Sequence, residues 1–306
     1  MLDCQYSMIN QFAEYITVES IICLAGVLLF GTWLIRTSLG RNALADSEAR
    51  QNTMPLHLPF IPLLVWFGVV PLAILITKKL LPDLPDWQGI FLDNCILCIG
   101  AIVTTAVIIF LAGANFAGRL KGFGLNVKTI HKDFFAAVIN LVTAWPLVIF
   151  MIILTMHFGQ LIWGKDFLIE QHEQLKTITA YPQLPVRILI IITTIAVVPV
   201  FEELLFRGLF QTMIRTFLEI RSSPASAVVN SPPQRLRFEI RGGPWLSILI
   251  TSGLFAVFHQ SAGHWPALFV LAVCLGYSYE KSGSLFRPIF IHTLFNTSSI
   301  LTALYQ

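Results

Sequence analysis

Eight apolar segments follow one another along the chain, each near the ~20 residues that an α-helix needs to cross a bilayer. Their bounds are 21–35, 58–77, 95–113, 134–157, 188–210, 245–260, 265–280 and 286–304. The composition agrees, since 56% of the residues are hydrophobic and only 12% are charged, about half the charged fraction of a soluble domain. We therefore predict an all-α fold, a polytopic transmembrane helical bundle of about eight spans.

These segments also suggest how the chain is organised. Residues 1–133 contain the first three helices and their loops, and 134–304 contain helices four to eight. The last four segments are shorter or interrupted by polar residues, which suits helices packed around a cavity, so we expect an active-site cavity among them. Two connections, 36–56 and 221–243, are too polar to bury a core, and we predict that both are flexible on the surface.

The distribution of basic residues predicts the orientation in the membrane. With the N-terminus outside, the inner loops contain 14 Lys and Arg residues and the outer loops contain 5. This bias follows the positive-inside rule and makes 221–243 a cytoplasmic loop. The net charge of +3 is too small to suggest a nucleic-acid partner. The expected surroundings are membrane lipid.

The stretch VVPVFEELLFRGLF, residues 197–210, places two carboxylates and a guanidinium inside an apolar helix. A charge within hydrocarbon is costly and is retained where it is paired or used. Glu203 and Arg207 are four residues apart on one helix face, with the acid first, which favours an ion pair. Glu202 then has no local partner, and a kink at Pro199 would let water reach it. The alternative is that both glutamates only clamp neighbouring helices.

Two later segments each carry further polar residues. GLFAVFHQ places His259 one turn after Phe255, and IFIHTLFN places His292 and Asn296 four residues apart on one helix face. A lone histidine on an apolar helix is more often a core residue. Together with Glu202, however, these side chains could hold a water, deprotonate it and stabilise an oxyanion.

The three segments resemble a known family. EELLFR fits EExxxR, FAVFH fits FxxxH and HTLFN fits HxxxN, in that order on successive late spans. The chain resembles the CPBP intramembrane proteases, also called the Abi or type II CAAX prenyl endopeptidase family. The resemblance covers about 185–304, while the first four spans match only in being hydrophobic. Each motif alone is weak, but all three in order within a polytopic chain are specific.

The resemblance implies roles for individual residues. It makes Glu202 the general base that activates water, with His259, His292 and Asn296 lining the same cavity. It gives supporting positions to Glu203, Arg207 and Phe255.

The resemblance leaves the metal question open. Glu202, His259 and His292 would suit a catalytic zinc with an open position. Asparagine is a poor zinc ligand, and the helical HExxH signature is absent from the sequence. The family is usually labelled metalloprotease, while a metal-free glutamate mechanism is also proposed for it. We favour water activated by glutamate, with no certain cofactor, and keep zinc as the alternative.

The implied function is that of an intramembrane endopeptidase acting on a peptide or a membrane protein, prenylated or not. The implied location is a bacterial inner membrane, with the active site toward the cytoplasm, and the membrane of a eukaryotic endoplasmic reticulum is the alternative. One alternative is a non-proteolytic immunity or assembly factor on the same fold. A proton-coupled transporter is less favoured because the sequence shows no internal repeat.

Counting residues along the predicted helices places one candidate site residue, His259, at a different depth from the others. Counted from the inner side, Glu202, His292 and Asn296 lie near one another. His259 follows Trp245 by 14 residues on a helix entering from the same side, which places it farther outward. The expected resolution is a sixth span that begins nearer His259, or one that is tilted or broken.

Overall fold

A computed structural model describes residues 17–222, 243–259 and 261–305. Within these ranges the regular structure is helical, without β-strands. The helices are α1 (Val18–Arg36), α2 (Phe60–Leu80), α3 (Asp86–Asn115), α4 (Arg119–Phe123), α5 (Ile130–Trp163), α6 (Glu173–Ala180), α7 (184–222), α8 (Gly243–Val257), α9 (Trp265–Ser282) and α10 (Phe286–Tyr305).

Each of the eight predicted spans coincides with one of the long helices, so the prediction of an all-α polytopic bundle is confirmed. Five helices, α1, α2, α3, α5 and α7, are long and apolar enough to cross a membrane. Their outward surfaces are apolar, as at Ile35 of α1 and Phe110 of α3, which are 81% and 75% exposed. Such surfaces are stable in lipid and not in water. The protein is therefore integral to a membrane.

Helix α5 stands at the centre of one side of the bundle and packs against α1, α9 and α10. The contact with α1 depends on Gly26, where an added Cβ would lie 2.6 Å from Pro146 Cδ. Helix α7 packs against α3 and α10, and α8 packs against α9. The largest apolar core surrounds the second half of α7 and includes Phe201, Phe206 and Phe255.

Helix α7 is continuous but is not a regular α-helix. Two π-helical turns, Thr193–Val197 and Leu204–Gln211, enclose the α-helical segment Val198–Glu203. Pro199 lies in the first turn of that segment and has no N–H to donate. Just before it, the helix forms a wider turn, in which Val198 N–H bonds to the carbonyl of Thr193. Such π turns occur often at functional sites.

The connection 36–56, predicted to be flexible on the surface, lies at the surface but buries some of its side chains, contrary to the expectation that its composition could bury nothing. Ala43 and Leu44 are buried, and Asn52 forms an isolated antiparallel bridge with Phe116. Arg50 lies over the ring of Tyr279 at 4.0 Å. Arg50 Nη2 donates to the carbonyl of Tyr279, and Asn52 Nδ2 donates to the side-chain hydroxyl of Thr216.

The other predicted linker, 221–243, falls almost entirely on residues outside the described ranges. Only its ends are described, where α7 ends at Ser222 and α8 begins at Gly243. We call the end of the bundle with the connections 37–59, 116–129 and 283–285 the basic end. There Leu285 N–H bonds to the carbonyl of Gly124, which joins two of these connections.

Candidate active site

The centre of the site is Glu203, on the last turn of the α-helical segment of α7. Its side chain is 0% exposed. Oε1 accepts a hydrogen bond from Arg207 Nη1 at 3.0 Å and lies 2.9 Å from His292 Nδ1. Oε2 is buried without a hydrogen-bond partner. The predicted Glu203–Arg207 ion pair is therefore present, and it has a third member that helical spacing did not predict.

Arg207 is held on three sides. Besides Glu203, its Nη2 donates to the carbonyl of Ala272 on α9 at 3.2 Å. Its Cζ lies 4.6 Å from the centre of the Phe255 ring on α8, within range of a cation–π contact. The guanidinium is 1% exposed. A buried cation is tolerated where it is paired and hydrogen-bonded, and here those bonds also connect α7 to α8 and α9.

His292 of α10 lies between the two glutamates. Its Nδ1 faces Glu203 Oε1, and its Nε2 lies 3.8 Å from Glu202 Oε2. The two carboxylates differ in access, because the Glu202 side chain is 16% exposed and that of Glu203 is closed. The Glu202 side chain is thus the more accessible of the two, and it faces His292.

His259 lies just after the end of α8. Its Nδ1 is 2.7 Å from the carbonyl of Phe255, and the two rings are 4.7 Å apart. A carbonyl only accepts, so Nδ1 carries the proton and Nε2 is left as an acceptor when the imidazole is neutral. The Phe255 ring also meets His292 edge-on at 5.8 Å. Phe255 therefore connects the two histidines.

Asn296, one turn after His292, reaches a different part of α7. Its Nδ2 donates to the carbonyl of Thr194 in the first π turn, at 2.9 Å. That carbonyl belongs to the first π turn, so the side chain joins α10 to the part of α7 that precedes Glu202. The second N–H of the amide is available to another acceptor.

Counting residues from the inner side placed His259 farther outward than Glu202, because the count assumed too short a helix α7. The predicted span stopped at 210, but the helix continues to Ser222. A Cβ on Gly243 would lie 2.9 Å from Arg215 Nη1, so α8 begins level with Arg215. From there, Glu203 and Phe255 are each 12 residues along their helices, which places them at the same depth.

Sequence reasoning missed the histidines that surround His259. The carbonyl of Glu170 lies 2.7 Å from His264 Nε2, and His172 begins α6 with Nδ1 accepting from Gln174 N–H. His172 is exposed, yet desolvation within the loop lowers its pKa to about 4, and the nearby charges of His259 and His264 act in the same direction. The connection 164–172 carries no motif, so no sequence signal identified it.

The described side chains do not fit a metal site. Among the residues that the structure describes, no group of three or more histidine, cysteine, aspartate or glutamate side chains is arranged to hold a metal ion. Glu202 and His292 are neighbours, whereas the Phe255 ring contacts both His292 and His259. We therefore derive no step through a metal.

Comparison with known proteins adds one finding. Residues 184–298 match the family model described as Type II CAAX prenyl endopeptidase Rce1-like. The match begins at the first residue of α7, contains all three motifs and ends within α10, so the resemblance predicted from those motifs is confirmed. No curated protein and no solved structure matches the chain.

Proposed function

We propose that the protein is an intramembrane endopeptidase of the type II CAAX prenyl endopeptidase kind, which hydrolyses a peptide bond of a membrane-associated substrate. The observation that supports this most is the placement of Glu202. It is a partly accessible carboxylate beside a buried histidine, within the segment that matches a protease family. A carboxylate in this setting serves as a general base.

Of the two adjacent glutamates, Glu202 is the better base. Glu203 is enclosed and already accepts from Arg207 and faces His292 through Oε1. Protonating it would break the ion pair and leave a buried guanidinium without its counter-charge, which is strongly unfavourable. Glu202 has solvent access, and its proton can be exchanged without disturbing that pair.

The reaction then follows from the positions of these groups. Glu202 removes a proton from water, the water oxygen attacks the carbonyl carbon, and the carbonyl electron pair moves to its oxygen. The free N–H of Asn296 stabilises this oxyanion, while Nε2 of His259 accepts a hydrogen bond from the attacking water. As the C–N bond breaks, Glu202 returns its proton to the leaving nitrogen, which restores the carboxylate.

The test is proteolysis by purified protein in detergent, with a peptide library in prenylated and unprenylated versions. We expect the wild type to cleave and Glu202→Gln to lose about 100- to 10,000-fold in kcat, the range for one general base. Glu173→Gln, an exposed carboxylate at the start of α6, is the matched control and should cleave like the wild type.

The other outcomes are equally informative. Equal cleavage by wild type and Glu202→Gln would exclude Glu202 as the base. A folded wild type that cleaves nothing would favour the immunity or assembly factor. A chelator arm separates zinc from glutamate chemistry, and we expect activity to survive chelation. The paired prenylated and unprenylated peptides decide whether the lipid is needed.

We further propose that the protein resides in a bacterial inner membrane with the basic end in the cytoplasm. The orientation rests on the excess of Lys and Arg on the loops of that end, and the bacterial location carries over the expectation drawn from the family resemblance. Single cysteines introduced at Lys128 and Lys165, on opposite ends of the bundle, can be labelled in intact cells with a membrane-impermeant maleimide. Only the cysteine at 165 should react, and labelling at 128 alone would reverse the orientation.

A further inference from the structure

We propose that Glu203 is a positioning residue for His292, beyond its ion pair with Arg207. The inference deepens the proposed function and rests on it for its catalytic meaning. It begins with one atom. Glu203 Oε1 lies 3.0 Å from Arg207 Nη1 and 2.9 Å from His292 Nδ1, so a single carboxylate oxygen serves both partners.

This geometry fixes the proton on the His292 ring. A carboxylate oxygen in contact with an arginine is an acceptor, so His292 Nδ1 must be the donor. Nε2 of the same ring then faces Glu202 Oε2 at 3.8 Å. The opposite tautomer would place the lone pair of Nδ1 against Oε1, and two acceptors at that distance repel. Glu203 thereby holds a proton on Nδ1 and keeps the ring turned so that Nε2 faces Glu202.

The way in which the two Glu203 oxygens are used shows that this carboxylate is more than the counter-ion of Arg207. A carboxylate that serves an arginine alone commonly binds it with both oxygens. Here Oε2 has no partner, and the second arginine nitrogen bonds to Ala272 on α9 instead. The carboxylate is turned so that one oxygen reaches both His292 and Arg207.

The chain of contacts runs from rigid structure to the reacting group. Arg207 is fixed by α9 and by the Phe255 ring, it holds Glu203, Glu203 holds His292, and His292 faces Glu202. A buried carboxylate that orients a histidine in this way sets its tautomer and direction, as in the Ser-His-Asp triad, where removing that function costs about 10,000-fold in kcat. Glu203 acts through His292 and does not need to touch the substrate.

The test compares two double variants that both remove the ion pair. Glu203→Gln with Arg207→Met keeps an oxygen that can accept from His292 Nδ1, whereas Glu203→Met with Arg207→Met does not. Neither leaves an unpaired buried charge, and replacing a buried ion pair by apolar groups of similar volume is often tolerated. We expect kcat of the Gln variant to exceed that of the Met variant by at least ~100-fold, which is less than the loss of about 10,000-fold seen when the triad carboxylate is replaced. The two KM values should be similar.

A second measurement does not depend on catalysis. The ¹⁵N spectra of histidine-labelled protein, assigned with His292→Asn, report which ring nitrogen is protonated. We expect Nδ1–H in the wild type and in the Gln variant, and Nε2–H in the Met variant. A wild-type His292 without a proton on Nδ1, or equal kcat values for the two double variants, would overturn the proposal. If the wild type cleaves no peptide, the proposed function fails while the spectra still decide the role of Glu203.

Discussion

Gly208 follows Arg207 in the second π turn of α7, and it allows α7 to lie directly against Phe123. An added Cβ would lie 2.6 Å from Phe123 Cε2, whereas carbon atoms in contact prefer about 3.5–4.0 Å. The Phe123 ring is fully buried, packs edge-on against Phe116 at 4.9 Å, and its carbonyl accepts from Tyr279. Gly208→Ala therefore requires a shift of about 1 Å in a ring that has little room to move.

The size of the effect follows from two opposing terms. Overpacking a close-packed core costs about 1–3 kcal/mol. Replacing a helical glycine with alanine returns about 0.5–1 kcal/mol, because the unfolded chain loses conformational freedom. We expect Gly208→Ala to lower the free energy of unfolding by about 1–2 kcal/mol. Gly113→Ala, on α3, is the matched control because its Cβ would meet nothing within 4 Å.

The assay is reversible unfolding in mixed micelles with increasing sodium dodecyl sulfate, followed by tryptophan fluorescence. The double variant Gly208→Ala with Phe123→Leu should be at least ~0.5 kcal/mol more stable than the sum of the two single effects predicts, because the two side chains compete for one space. The reasoning fails if Gly208→Ala is as stable as Gly113→Ala, or if the two substitutions at 208 and 123 add independently.

Two further predictions concern the ends of the bundle. At the basic end, Asp133 is buried and accepts from Thr129 and twice from Arg287; Asp133→Asn should lower the free energy of unfolding by about 1.5–3 kcal/mol in the same assay. At the other end, the pKa of His172 is lowered to about 4 from 6.5, so between these values the unfolded chain binds the proton more readily than the folded one. Stability should therefore fall as the pH is lowered from about 6.5 to 4, and it should not change from this source above 6.5. His172→Asn keeps an acceptor for Gln174 N–H and should remove that part of the pH dependence; an unchanged stability-pH curve would contradict the assignment.

The elements of the site could be read from the sequence because they depend on local spacing. Glu203 and Arg207 pair because residues four apart share a helix face, and the structure shows that pair. The same spacing put His292 and Asn296 on one face of α10, where both contact α7.

The relations between helices could not be read in that way. The contact of His292 with Glu203 joins residues 89 apart in the chain, and it depends on how α10 is rotated against α7. Helical spacing assumed about 100° per residue, but the π turns of α7 change that angle and shift the faces that follow. The role of Phe255 between the two histidines likewise depends on the level at which α8 begins.

The connections between helices also have features that depend on tertiary contacts and that local sequence does not predict. The polar composition of 36–56 predicted a flexible segment, but Ala43, Leu44 and Met54 find space between helix ends that exists only after the bundle forms. His172 carries no motif, and it becomes a neighbour of His259 only because the connection after α5 returns over the end of α8.

By itself, the sequence determined the class of the protein, the helices and the identity of the polar groups inside them. Hydropathy and helical repeat are properties of consecutive residues, and the bilayer leaves helices as the only way for such segments to satisfy their backbone. The tertiary structure alone decided which glutamate is enclosed and which is partly exposed, and which nitrogen of His292 faces Glu202. These features depend on packing between segments far apart in the chain, which no local pattern encodes.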